Sequence, residues 1–221
     1  MANGLHVCYI EVMVRAINRR KLLTGGFAAG ASLALPGKLL AAATVSSATP
    51  YERRVLETAA REKERVASHL WRTDVVGIAD YGLPSWKPRL HIANLENGTV
   101  RSLLTAHGRG SDPEHDGWLN NFSDVPGSEA TSRGAYLTCE WYKGKYGTSI
   151  RLVGLDHDNA TALDRAIVMH PAWYVDPAMI NKWGKIGRSQ GCFALGNADF
   201  NDALWWLSGG RLLFADRIGE G

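Results

Sequence analysis

The stretch GAYLTCEWYKGKYGTSIRLVGL, residues 134–155, decides the fold class. Two runs inside it, GAYLTCEWY and SIRLVGL, are short, apolar and rich in aromatic and β-branched residues, which suits pleated strands. Counting by twos puts Ala135, Leu137, Cys139 and Trp141 on one face, so the Cys139 thiol is expected to point into a core. Working outward, VVGIADY (75–81), RLHIANL (89–95), TVRSLLTAHG (99–108), RAIVMH (165–170) and RLLFADR (211–217) read the same way. Asn97-Gly98 between the second and third of these is a strong hairpin signal and should reverse the chain there. Two segments have helical character instead. From Tyr51 to Trp71, Val55, Ala59, Val66 and Leu70 recur at helical spacing among charges. NADFNDALWWLSGG (197–210) reads as a helix with Asn197 or Asp199 near its start, stopped by Gly209 and Gly210. The pattern predicts a mainly β domain with packed helices, of the α+β class.

The chain has 221 residues, 45% hydrophobic and 21% charged, enough for one sizeable core. Residues 1–43 stand apart from it. Asn18-Arg19-Arg20-Lys21 opens a weakly apolar run that ends in small residues at Ala41 and Ala43, the order of a basic region, an apolar region and a cleavage site. The paired arginines and Lys38 resemble a twin-arginine export signal, which implies a translocase partner that carries folded proteins and a periplasmic or cell-envelope destination. Met13 makes a more usual start than Met1, and starting there removes Cys8. Leu22–Ala43 is long enough to span a bilayer, but Gly25, Gly26, Pro36 and Lys38 make it a poor span, so contact with a membrane is expected only through the signal. Residues 44–73 then form a linker and the amphipathic helix, and 74–218 the main domain.

The signal also carries the basic charge. Taking Arg15, Arg19, Arg20, Lys21, Lys38 and Glu11 out of the chain's 25 basic and 22 acidic residues leaves 20 against 21, a net charge of −1. No clustered basic face is evident, which argues against nucleic-acid binding.

Cys139 and Cys192 are left, and an exported protein with two cysteines invites a disulfide between them. Cys139 belongs to a strand, whereas Cys192 sits in GRSQGCFALG (187–196), a glycine-bounded turn where backbone N–H groups can be exposed. A buried cysteine is often only filling. His170, however, ends a buried-looking strand 22 residues earlier, far enough for the chain to leave and return, and an imidazole beside a thiol can take its proton. Seven histidines make such a pairing weak by itself.

His170, Trp173 and then GKIGRSQGCFAL together resemble the L,D-transpeptidase catalytic domain of the YkuD type, whose signature is a histidine followed by Ser-x-Gly-Cys. LHIANLENGTVRSLLTAHGRGS, FSDVPGSEATSRGAYLTCEWYKGKYGTSIRLVGL and RAIVMHPAWYV resemble successive blocks of the murein L,D-transpeptidase subfamily, covering about residues 70–217 in order. The resemblance implies a β-sandwich or barrel and no cofactor or metal. It implies that Cys192 attacks the bond between diaminopimelate and terminal D-alanine in a peptidoglycan stem peptide, with His170 as base. The N–H groups of Cys192 and of Gly191 or Gln190 would face the oxyanion. Ser189 would orient the histidine, His107 would line the cleft beside Trp173, and Arg188 would receive substrate carboxylates or else form a salt bridge within the fold. Pro171, Gln190 and Phe193 depart from the residues common at those positions. Pro171 keeps a carbonyl that can still orient the imidazole; the other two bear on the acyl acceptor and on access.

Two other readings compete. His107, Asp112, His115, His157 and Asp158 invite a metal site, but no metal-binding spacing is present. Trp141, Tyr142, Tyr146 and Trp173 would suit a non-catalytic wall-binding groove, although such a module would be expected to lose Cys192 or His170. Within catalysis, transfer to water instead of an amine would make the protein an L,D-carboxypeptidase.

Overall fold

The computed structural model describes residues 48–219. The proposed signal, its cleavage site and the alternative start at Met13 lie outside the described residues. Eight strands form one sheet: β1 Val75–Asp80, β2 Leu90–Asn94, β3 Thr99–Leu103, β4 Gly134–Gly144, β5 Gly147–Gly154, β6 Val168–Pro171, β7 Phe193–Leu195 and β8 Leu212–Asp216. Their spatial order is β3-β2-β1-β8-β4-β5-β6-β7, with β1/β8 and β6/β7 parallel and the other pairs antiparallel. The sheet curls until its two ends nearly meet. Just beyond β3, Thr105 bridges Leu195 of β7, and the Ala106 N–H donates to the Ala194 carbonyl at 2.9 Å. The expected mainly β architecture is therefore a nearly closed barrel, accompanied among the described residues by three α-helices: α1 Pro50–Arg65, α2 Pro177–Trp183 and α3 Asn197–Leu207.

The barrel has two apolar layers. Its inner layer includes Tyr81, Leu90, Tyr136, Leu152, Met169 and Phe193, with Phe200, Ala203 and Leu207 supplied by α3. The outer layer is Val55, Ala59, Val66 and Leu70 packed on Val76, Ile78, Leu137, Cys139 and Leu212. Thr49 caps α1 in a reciprocal capping box with Glu52, and Pro50 occupies its first turn, a start worth about 1 kcal/mol. The helix ends at Arg65, six residues short of Trp71, where the backbone turns into three-residue hydrogen-bonded loops. Those loops still lower Val66 and Leu70 into the outer layer, so the apolar spacing is right although the helix is shorter. Arg65 clasps Asp156 through two hydrogen bonds of 2.6 and 2.8 Å, tying the end of the helix to the barrel.

Strand β4 both confirms and corrects its reading. Ala135, Leu137 and Cys139 share the outer layer, but Trp141 is 61% exposed. The β4/β5 register slips between Thr138 and Trp141, and a slip of this kind turns every later side chain to the other face. The Asn97-Gly98 reversal joins β2 to β3 as expected, with Gly98 at φ 69°. At the end of α3, Gly209 and Gly210 both take positive φ, and a Cβ on Gly210 would lie 2.5 Å from the Trp71 ring.

Candidate active site

The site is assembled by two strands that sequence order keeps apart. The parallel β6/β7 register pairs Met169 with Phe193 and His170 with Ala194, so Cys192, one residue before β7, lies alongside Val168. Met169 and Phe193 point into the inner core, whereas Val168, His170 and Cys192 line one cleft of about 530 Å³. Cys192 is a free thiol. Being free, it is not bonded to Cys139, which lies in the outer layer.

His170 is almost buried, and its Nδ1 lies 2.9 Å from the Pro171 carbonyl. A carbonyl only accepts, so Nδ1 carries the proton and Nε2 is left as the basic nitrogen. Tyr146, from the β4–β5 turn, stacks on the imidazole with centroids 4.4 Å apart and planes at 19°. Burial lowers the pKa of His170, partly offset by the Pro171 bond. Burial likewise raises the pKa of Cys192, against a backbone hydrogen bond from Val168 and the positive charge of Arg165. Both directions favour a thiol and a neutral imidazole over a preformed ion pair.

The turn before Cys192 is clamped from several sides. Ser189 Oγ donates to the Cys192 carbonyl at 2.6 Å and accepts the Gly191 N–H at 3.2 Å. The Ser189 backbone bonds both ways to the segment after β3, its N–H to the His107 carbonyl at 2.8 Å and its carbonyl to the Arg109 N–H at 2.9 Å. Ser189 thus braces the turn with every polar group expected to reach the histidine, and His170 takes its orientation from Pro171 instead. Gly191 adopts φ 106°, and a Cβ there would sit 2.7 Å from the Ala130 carbonyl.

The family model for the L,D-transpeptidase catalytic domain matches residues 48–215. This chain belongs to the L,D-transpeptidase catalytic domain family. Among solved structures, an L,D-transpeptidase from Mycobacterium smegmatis is 14% identical with a TM-score of 0.40, over 65% of this chain and 58% of that one. L,D-transpeptidase 3 from Mycobacterium tuberculosis, in complex with a faropenem-derived adduct, is 14% identical with a TM-score of 0.43, over 65% and 60%. The helical cell shape determining protein Pgp2 of Campylobacter jejuni, a K307A mutant, is 13% identical with a TM-score of 0.41, over 76% and 57%. The match spans less than two thirds of each of those chains. No curated protein matches.

Within this L,D-transpeptidase domain the other expected site residues separate. Arg188 and Gln190 line the cleft with Cys192. Arg188 donates to the carbonyls of Asp112 and Pro113, not to a carboxylate, so the salt-bridge alternative is not what holds it. Gln190 donates to Glu129 at 2.9 Å, and Glu129 also pairs with Arg109. His107 does not line the cleft. It is buried, accepting from Arg89 at Nδ1 (2.9 Å) and donating from Nε2 to Asp112 (3.0 Å). Trp173 is 72% exposed and borders a neighbouring apolar hollow of about 410 Å³ with Met179 and Trp183; Tyr174 is the wall the two cavities share.

Of the aromatic residues proposed for a groove, Tyr142 and Tyr146 line the cleft with Cys192 and Trp141 does not. Of the five residues that invited a metal reading, His107 meets Asp112 and His157 meets Asp158, and among the described residues no group of three His, Cys, Asp or Glu could hold an ion. No helix among them is long and apolar enough to cross a membrane. Sequence reasoning missed Lys145, Arg109 and Arg165 as cleft residues. Only the aromatic and basic Lys143-Gly144-Lys145-Tyr146 hinted at such a role, because each of the three is brought in from a different loop.

Proposed function

We propose that this protein is a peptidoglycan L,D-transpeptidase acting through Cys192. The observation that carries the reading is a free thiol in the same cleft as an imidazole whose Nδ1 proton is held by a backbone carbonyl. In the first half-reaction Sγ attacks the carbonyl carbon joining diaminopimelate to terminal D-alanine. The thiol proton passes to His170 Nε2, the C–N bond breaks, and the proton leaves with the D-alanine amine. A thioester remains on Cys192. In the second half, an acceptor amine gives its proton to His170 and attacks the thioester, forming the new amide and restoring the thiol. A second stem peptide as acceptor yields a 3-3 crosslink, and a free D-amino acid yields exchange.

The oxyanion falls to the N–H groups of Cys192 and Gln190, because the Gly191 N–H is engaged by Ser189. Arg109, Lys145 and Arg188 at the cleft support a substrate bearing several carboxylates. Such a substrate lies outside the cytoplasm, which agrees with reading residues 1–43 as an export signal for the folded domain, delivered by the twin-arginine translocase.

The test is mass spectrometry of disaccharide tetrapeptide incubated with the protein and with Cys192→Ala, followed by addition of an amine acceptor. Release of D-alanine by the wild type alone, with the amine joined to the product, is the expected outcome. Cys192-dependent release ending only in the tripeptide acid would mark an L,D-carboxypeptidase. No release from several stem peptides by reduced protein would overturn acyl transfer and leave a wall-binding module.

A further inference from the structure

Arg165 carries the one guanidinium of the cleft that the fold has buried. Its side chain is 5% exposed, yet it lines the same cleft as Cys192. The segment before β6 turns sharply to place it, with Ala166 in the left-handed region at φ 54° and the Ala166 carbonyl 3.8 Å from the Cys192 sulfur. One arm of the guanidinium reaches Ser132 Oγ at 2.6 Å, the Ser123 carbonyl at 3.0 Å and Asp124 at 3.3 Å. The other donates to the Ala130 carbonyl at 2.6 Å and to Ser128 Oγ at 3.4 Å. Asp124 is the single acidic partner among these. That carboxylate is itself shared with the Thr161 N–H and the Ser132 hydroxyl.

The catalytic turn is shaped to admit this group. A Cβ on Gly191 would lie 2.7 Å from the Ala130 carbonyl and 3.1 Å from the Arg165 nitrogen bonded to it. The missing side chain therefore lets a guanidinium–carbonyl pair rest against the backbone one residue before the nucleophile. The other groups around Cys192 are poor substitutes for a fixed charge. His170 and Tyr174 on one side, and Tyr81 from the barrel interior, are held neutral by burial. At the mouth, Arg109 is paired with Glu129, Arg188 is half-buried and bonded to carbonyls, and Lys145 is exposed.

We propose that Arg165 is the fixed cation of this site, stabilising the thiolate of Cys192 as it forms during acyl transfer. The inference rests on Cys192 being the nucleophile. A buried cation bonded mostly to neutral groups, with one longer contact to Asp124, acts strongly on a charge developing beside it, and it needs no reorganisation when that charge appears.

The test follows Cys192 itself and uses no substrate. The rate of Cys192 carbamidomethylation by iodoacetamide is measured against pH on the intact chain, by peptide mass spectrometry, for the wild type, Arg165→Lys, Arg165→Gln and Asp124→Asn. Arg165→Gln is expected to raise the midpoint by about one pH unit, with Arg165→Lys close to wild type. Asp124→Asn removes the compensating carboxylate and is expected to lower it. A merely structural arginine predicts the opposite for Arg165→Gln: a loosened turn, a more exposed sulfur and a midpoint falling toward that of an ordinary thiol. An unchanged or lowered midpoint in Arg165→Gln overturns the proposal, as does an unchanged or raised midpoint in Asp124→Asn if Arg165→Gln does not fold. Shifted midpoints with no D-alanine release would keep the charge assignment and reject the reaction.

Discussion

His170, inside β6, and His107, four residues after β3, are both buried, and both have a pKa pushed below the ordinary imidazole range by burial. They differ in what their ring nitrogens touch. His107 lies between Arg89 and Asp112 with both nitrogens bonded, and its pKa falls to about 3 through burial and the Arg89 charge, against the pull of Asp112. His170 has one nitrogen tied to a carbonyl and lines the cleft beside a thiol. Burial makes an imidazole neutral in both places, but a proton acceptor also needs a nitrogen that the fold has not used. The difference separates an imidazole with both nitrogens committed to the fold from the one proposed as the base, although each histidine stands in a sequence block that resembles the family.

The sharpest way to break the comparison is to remove each histidine's role in turn. His170→Gln is expected to slow D-alanine release about 10²- to 10⁴-fold, with the thermal midpoint little changed, measured on the tetrapeptide by product mass. A variant retaining near-normal release would mean that His170 is not the base.

Arg89→Met tests the other side. Arg89 is fully buried, donating to His107, to the Thr105 carbonyl and to the Leu83 carbonyl. Its loss strands the His107–Asp112 pair and is expected to cost about 3–5 kcal/mol in urea unfolding, while activity per folded molecule stays near normal. A stable but inactive Arg89→Met would put His107 into the chemistry and erase the distinction.

A smaller effect comes from pH. Because the pKa of His170 is lowered, the rate of acyl transfer should stay high as pH falls and reach half its value only below the usual imidazole midpoint of about 6.5. His107 has the same sign in stability. Its folded pKa lies below the unfolded one, so its contribution is full above about pH 6.5 and is lost as pH falls toward 3. Urea midpoints of wild type and His107→Gln between pH 7 and 4 should therefore converge on acidification; parallel curves would show that His107 does not titrate on unfolding.

How much was legible in the chain varies by residue. Short apolar or alternating runs between turn residues located seven of the eight strands, because a strand buried on both faces reads as a continuous apolar run and a half-buried one alternates. The three residues of β7 are too few to show a period, and α2 was passed over despite Asp176 and Pro177 at its start and Gly184 at its end. Trp141 was misplaced because a register slip leaves no mark in a pattern of apolar residues. In the site, Cys192 and His170 were read from their order and neighbours. Ser189 was given to the histidine, yet its hydroxyl closes the turn on Cys192.

The sequence by itself determined most of the segments that pleat and coil, that an amphipathic helix lies against the main body, and which thiol and imidazole are candidates for one another. Those properties follow from local periodicity and from motifs a few residues long. Only the tertiary structure decided that His170 and Cys192 share a cleft, that His107 is sealed behind it, and that Arg165 rests against Gly191. Each of these joins residues from separate strands or loops, and a parallel register or a guanidinium's choice among carbonyls depends on where the rest of the barrel has closed.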